Sequence, residues 1–392
     1  MLAHMQSLNG AQAALQLDDA VTEILQQYHF DSDAWTKLQA HLGAEGFNST
    51  DNMVTGKLRA PSDADMAALP ELGTQERLHL ECLGASAIAK GQVAVMVLAG
   101  GMATRFNGQV KALVPVSGNQ TFAELKLRTV ALTAHQYQTD IPMWWMSSFA
   151  TDKPLQTWLT AQRYPRVSCS MLTQSVSLRL SPDGSVFKGQ EPTDSLYAPG
   201  HGDALIALQR TSLLDEFAAA GGRYLFVSNV DNLVATLDPA VIGAHIDKGL
   251  GISVEVVSKK PGDQGGAPAW LDGRLQIIEA FRFPADFDQA SIPVFNTNSF
   301  VFNVDVLKGA YPLDWFAVPK TLSDQTLIQY ERLLGQLTAF IPSNYILVER
   351  DGWQSRFIAV KTPQDLDLQQ QHILDALRAR GVPLANTKQK FT

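Results

Sequence analysis

Continuous apolar runs alternate along this chain with stretches whose apolar positions recur every three or four residues. The first pattern is that of buried strands, the second that of amphipathic helices. Near the start, Val21, Ile24 and Leu25 in DDAVTEILQQYHF fall at i, i+3 and i+4, with Asp18 or Asp19 as the N-cap. A second helix is expected in DSDAWTKLQAHLG, stopping at Gly43, and MAALPELGTQERLHLECLGASAIAKG reads as helix, turn, helix. Residues 1–90 are therefore expected to form a helical N-terminal region. The pattern changes at Gly91. GQVAVMVLAGG reads as a buried strand ending in paired glycines. A helix then starts near Thr121, and PMWWMSS, RVSCSMLTQS, RYLFVSNVD and GISVEVVSKK read as further strands. Helices are expected between them in ATDKPLQTWLTAQRYP, HGDALIALQRTSLLDEFAAAGG and DPAVIGAHIDKG. GGAPAWLDGRLQIIEAFRF reads as a hairpin turning at Asp272–Gly273. SRFIAVKT is a last strand and DLDLQQQHILDALRARG a last helix. Strand–helix alternation of this kind predicts an α/β core: a doubly wound, mostly parallel sheet with helices on both faces. Residues 91–320 would form that core and 321–392 would complete it.

Composition narrows the classes. With 392 residues, 45% hydrophobic and 18% charged, the chain is neither disordered, collagenous nor coiled-coil. Lys plus Arg is 31 and Asp plus Glu 39, a net charge of −8. That balance excludes general nucleic-acid binding, yet leaves room for a small polyanion where a few basic side chains converge. The two cysteines, Cys82 and Cys169, cannot build a disulfide framework or a cysteine zinc site. The N-terminus shows no signal-peptide pattern, and no stretch approaches the ~20 apolar residues of a membrane span. A cytoplasmic protein with no membrane or protein partner is the simplest expectation.

Ligands of open α/β sheets lie beyond the carboxyl ends of the strands. The strand at 93–98 runs into Ala99, Gly100 and Gly101, and Arg105 and Lys111 follow. Glycines let main-chain N–H groups approach a base or phosphate, and the two basic residues could neutralise a triphosphate. Neither GxxxxGK[ST] nor GxGxxG is present. The strand at 224–228 runs into Asn229 and Asp231. Asp231 reads equally as a Mg²⁺ ligand or as a turn or helix cap. His201 stands between Gly200 and Gly202, where close approach of a flat base or sugar and capping of the next helix are compatible readings. Lys361, closing SRFIAVK, reads as a phosphate contact or a solvated lysine. Asn296–Asn298 is a polar break between apolar runs. No Ser-His-Asp order, G-x-S-x-G or H-E-x-x-H appears, which argues against a covalent hydrolase or zinc protease.

Five segments in order resemble the UDP-sugar pyrophosphorylases, specifically their UTP–glucose-1-phosphate uridylyltransferase branch. They are LAGGMATRF…K, MSSFATD, APGHGDALIAL, FVSNVDNLVATLDP with the downstream FNTNSFVFN, and SRFIAVKTPQDL. They span roughly residues 95–366. The resemblance implies a GT-A-like core, Mg²⁺, and transfer of UMP from UTP onto a sugar 1-phosphate, glucose 1-phosphate foremost. By the same resemblance, Leu98, Ala99, Gly100 and Gly101 would line the uridine, and Gln174 would pair with the base. Gly200 would pack on the base, with His201 near the sugar phosphate. Asn229 and Asn298 would hold the sugar nucleotide, and Asp231 the metal. Lys111, Arg105 and Lys361 would serve the phosphates. Ala103 stands for the loop's third glycine, Val110 for a proline in a loop one residue shorter, and Ser147 for an asparagine. By the same resemblance the family's C-terminal β-helix is not expected after SRFIAVKTPQDL, and with the helical N-terminus this suggests a lean, bacterial-type member. Alternatives are the same transfer onto N-acetylglucosamine 1-phosphate or galactose 1-phosphate, a GT-A glycosyltransferase, and a non-catalytic nucleotide sensor.

Overall fold

The computed structural model describes residues 17–103, 106, 108–263 and 265–384. Its centre is an eight-stranded sheet of β1 (Ala67–Ala68), β2 (Val93–Leu98), β3 (Ile141–Ser147), β4 (Val167–Thr173), β5 (Tyr224–Asn229), β6 (Ile252–Ser258), β7 (Val294–Asn303) and β8 (Ser343–Leu347). The spatial order is β1-β8-β6-β7-β5-β2-β3-β4. Every pairing is parallel except the two made by β7, so the sheet is mixed and mostly parallel, as the strand–helix alternation predicts.

Strand β2 shows why its sequence is apolar throughout. All six residues of VAVMVL are buried. Val93, Val95 and Val97 enter the core on one face, while Ala94, Met96 and Leu98 enter the core on the other. A strand covered by helices on both faces has no solvent side to mark with polar residues. The helices of the described residues are α1 (Asp19–Gln27), α2 (Ser32–Glu45), α3 (Gln75–Ala89), α4 (Phe122–Gln136), α5 (Asp152–Thr160), α6 (Asp203–Gln209), α7 (Leu213–Ala219), α8 (Pro239–Lys248) and α9 (Pro363–Ala379). Their starts carry their own signals. Asp238 caps α8 through Ala240 N with Pro239 in the first turn, and Thr362 and Asp365 form a capping box on α9.

Several expectations need correction. Helix α2 passes Gly43 and ends at Glu45, with Gly46 as its C-cap. Residues 46–74 are loops, 3₁₀ turns and two short strands, and only one helix, α3, follows. Strand β1 comes from this stretch and joins the edge of the sheet beside β8, so the first 90 residues are not purely helical. Helices α1 and α2 form a third apolar cluster, packing Val21, Leu25, Trp35 and Leu42 against Val176, Leu178 and Leu196. The expected helix after His201 is split into α6 and α7. The expected strand SRFIAVKT is not a strand: a single bridge, Asn232 to Ala359, is all that pairs it. The hairpin at Asp272–Gly273 forms as expected, pairing 267–271 with 274–278.

Candidate functional site

Strands β2 and β5 are parallel neighbours that end level, Leu98 beside Asn229. Their outgoing chains open a cleft at the carboxyl edge of the sheet. On the β2 side, the Ala99–Gly100 turn is clamped by the chain leaving β3. Ala99 N donates to Met146 O at 2.8 Å, Thr151 Oγ1 to Ala99 O at 3.1 Å, and Ser148 Oγ to Gly100 O at 2.7 Å. Gln174 follows β4, and its N–H donates to Ser147 O at 3.0 Å. A Cβ on Gly100 would land on the Gln174 amide nitrogen, so the absence of a side chain at Gly100 is what lets Gln174 reach this place.

The GHGD segment closes the next side. Gly200 has φ +85°, and a Cβ there would meet Arg332 O at 2.7 Å. Asp203, fully buried at the start of α6, accepts from Ser175 N at 2.5 Å and from Arg332 Nη2 at 2.7 Å. It therefore fixes the residue next to Gln174. His201 Nδ1 accepts from Leu334 N at 3.1 Å. Burial pushes its pKa down to about 4, so the ring is neutral and carries its proton on Nε2.

The β5 side is charged. Lys111 Nζ lies 3.0 Å from Asp231 Oδ2 and also donates to Val360 O. Asn229 Oδ1 accepts from Asn298 Nδ2 at 2.9 Å. Asn298 sits at an irregularity in the β6–β7 pairing with φ +57°, its N–H bonded to Asn296 Oδ1 at 3.0 Å. A bulge re-aims a side chain, and here the Asn298 Oδ1 is buried without a hydrogen-bond partner.

Leu98, Gly100, Gly101, Lys111, Gln174, Gly200, His201, Asn229 and Asp231 line one cavity of about 280 Å³. Ala99 lies behind it, and Asn298 joins through Asn229. Lys361 does not line this cavity. It lines a neighbouring one of about 780 Å³, and only the adjacent carbonyl, Val360 O, reaches Lys111. Arg105 lies outside the described residues. Size does not select the site. A groove of about 780 Å³ beside Arg77, Trp353 and Arg380 is larger, but Arg77 is already engaged by Glu81 and Asp238.

Four charged groups around the site escaped the sequence reading. Lys126 on α4 is 2% exposed, and burial pushes its pKa down to about 7. Arg356 and Glu255 form a buried bidentate pair at 2.6 and 2.7 Å. Glu279 stands against Gly266, whose carbonyl accepts from Asn296 N, and burial raises its carboxyl to about 7. The signal was a charge in an apolar setting: Lys126 between Phe122 and Val130 on one helical stripe, and Glu255 between Val254 and Val256.

The sequence model of the family described as UTP–glucose-1-phosphate uridylyltransferase matches residues 43–391. A protein of that name from Encephalitozoon cuniculi is 29% identical over 300 residues, covering 71% of this chain and 58% of its own length. The one from Saccharomyces cerevisiae is 30% identical over 296 residues, covering 70% and 58%. The chain thus spans less than two thirds of the length of these relatives. Among solved structures, a UDP-glucose phosphorylase from Trypanosoma brucei superposes with a TM-score of 0.70 at 23% identity, covering 92% of this chain and 77% of that one. A UDP-N-acetylglucosamine pyrophosphorylase from the same organism gives 0.72 at 17% identity, covering 95% and 80%. These likenesses show the fold, which is GT-A-like.

Proposed function

Because the chain belongs to the UTP–glucose-1-phosphate uridylyltransferase family, we propose that it transfers UMP from UTP to a sugar 1-phosphate, glucose 1-phosphate first, releasing pyrophosphate. The observation that carries this reading is the gathering of Gly100, Gly101, Gln174, His201, Asn229, Asp231 and Lys111 around one cavity at the carboxyl ends of β2 and β5. Uracil would lie against the two glycines with Gln174 on its edge. The sugar would meet Asn229 and the unpartnered oxygen of Asn298. The neutral His201 would offer its Nε2–H to the sugar phosphate without adding charge.

An oxygen of the sugar phosphate attacks the α-phosphorus of UTP in line, and the bond to pyrophosphate breaks. Such a transfer rests on alignment and charge neutralisation rather than on covalent help from the protein. Lys111 would leave Asp231 and take up charge on the departing pyrophosphate, with Arg105 earlier in the same sequence segment. Lys361 would draw in the attacking phosphate from the neighbouring cavity. Among the described residues no three His, Cys, Asp or Glu side chains gather as a metal cage. A single carboxylate, Asp231, fits Mg²⁺ that arrives with a nucleotide, since that ion binds one or two carboxylates plus substrate phosphates. Held there, it would supply further neutralisation of phosphate charge.

Asn229-Val230-Asp231 offers one carboxylate where a GT-A glycosyltransferase needs an Asp-x-Asp pair. Among the described residues no helix is long and apolar enough to cross a membrane. A cytoplasmic setting suits the two free, exposed cysteines. The test is pyrophosphate release from UTP over a panel of sugar 1-phosphates. Release with glucose 1-phosphate supports the reading, release only with N-acetylglucosamine or galactose 1-phosphate changes the sugar, and release with none overturns it.

A further inference from the structure

We propose that Lys126 is a positioning residue for this reaction, holding the 229–235 loop in the shape that presents Asn229 and Asp231 to the cavity. The role rests on the uridylyl-transfer reading. Lys126 lies on the core stripe of α4 and is 2% exposed. Its Nζ donates to Ser228 Oγ at 3.0 Å and to Ala235 O at 2.9 Å. Ser228 stands just before the loop and Ala235 at its end, so one ammonium clasps both ends of the loop that carries the two site residues.

The other side of the loop is tied separately. Asn232 Nδ2 donates to Arg356 O at 3.0 Å, and Asn232 Oδ1 accepts from Ile358 N at 3.2 Å. Arg356 Nη2 in turn donates to Thr236 O at 2.9 Å. The loop is thus suspended between α4 and the 356–358 segment. Among the described residues Lys126 forms no ion pair within 4 Å, and its ammonium donates to a hydroxyl and a carbonyl. Taking an ammonium out of water is unfavourable unless its donors are engaged. A side chain needed only to fill space would be apolar here, as Phe122 and Val130 are. What the lysine adds is the hydrogen bonds to the loop.

Those bonds do not touch Gly100 or Gln174, where the base would bind. Loss of Lys126 should therefore fall on the alignment of the reacting groups rather than on UTP capture. The test compares the wild-type full chain with Lys126→Met and Lys126→Arg, below each variant's unfolding transition. Steady-state kinetics are read with UTP and the accepted sugar 1-phosphate, beside hydrogen exchange of residues 229–235. Lys126→Met is expected to lower kcat by about 10- to 100-fold, the scale of a small misalignment. KM for UTP should stay within about twofold on the same argument. Exchange should quicken in 229–235 and not in 94–98. Lys126→Arg, which keeps the donors, should recover most of kcat. Ser228→Ala, which removes one acceptor, is the milder variant if Lys126→Met fails to fold, and should shift kcat and loop exchange in the same direction. Unchanged loop exchange, or kcat and UTP KM worsening together without rescue by Arg, overturns the role. A wild-type chain that releases no pyrophosphate overturns the functional reading instead, and loop exchange still decides whether Lys126 holds the loop.

Discussion

The two walls of the cavity are built by different physics. At Ala99, Gly100 and Gln174 the first wall is held by neutral hydrogen bonds with Met146, Ser147, Ser148 and Thr151, all of them to main-chain groups of the wall, and the Asp203–Arg332 pair enters only one residue further on, at Ser175. The wall of Asn229, Asp231 and the 356–360 segment is held by charge: Lys111 on Asp231, Lys126 behind the loop, and Arg356 on Glu255. Main-chain contacts fix the shape of this wall, which under the proposed function would take the flat, uncharged base. Charged contacts can change partners, and under the proposed function Lys111, now on Asp231 and Val360 O, is the group that would do so when phosphate arrives.

Removing charge at the second wall should have the largest effect. Asp231→Ala is expected to abolish Mg²⁺-dependent turnover, and Lys111→Ala to lower kcat by about a thousandfold, a typical scale for losing a preorganised charge at phosphoryl transfer. Circular dichroism should stay unchanged in both. Near-normal turnover in either variant would remove that residue from the mechanism. Next in size, Arg356→Met leaves Glu255 buried and unpaired, which is expected to cost about 3–5 kcal/mol of stability by urea unfolding. A loss below 1 kcal/mol would show that this pair does not brace the wall.

At the first wall, Gly100→Ala should displace Gln174 and raise KM for UTP about tenfold, near the 1.4 kcal/mol of one good polar contact, with kcat less affected. A fall in kcat alone would blur the division between the walls. The smallest effect concerns His245, remote from both walls and bonded to Ser253 and Asn303. Burial holds His245, like His201, down to about 4, whereas unfolding restores about 6.5. The unfolded chain then binds more protons between these values. The stability these neutral rings contribute is full above about pH 6.5 and is lost as pH falls towards 4. His245→Gln should flatten that acid limb in urea unfolding at pH 7 and 5, and an unchanged limb would contradict the assignment.

The first wall was legible in the sequence and the second only in part. VAVMVLAGG announces a buried strand and its glycine turn locally, because strand burial and tight turns are written in neighbouring residues. The GHGD and SNVDN segments were equally local. The partners of the charges are far away in the chain: Lys111 meets Val360, Lys126 meets Ala235, and Arg356 meets Glu255. No local pattern encodes such pairings. SRFIAVKT misled for a related reason. Its alternation is that of a strand, but Asn232 side-chain bonds replace the ladder and leave Lys361 facing the next cavity. Segment 46–74 lost its expected helix because β1 is recruited to the edge beside β8, a tertiary choice that local propensity does not register.

A crystal structure with UTP and Mg²⁺ tests the account most directly. The account predicts uracil between the Gly100–Gly101 turn and Gln174, with Lys111 moved from Asp231 onto the phosphates. Nucleotide bound elsewhere, such as in the groove beside Arg77 and Trp353, or a Lys111–Asp231 pair left intact beside bound triphosphate, would contradict it.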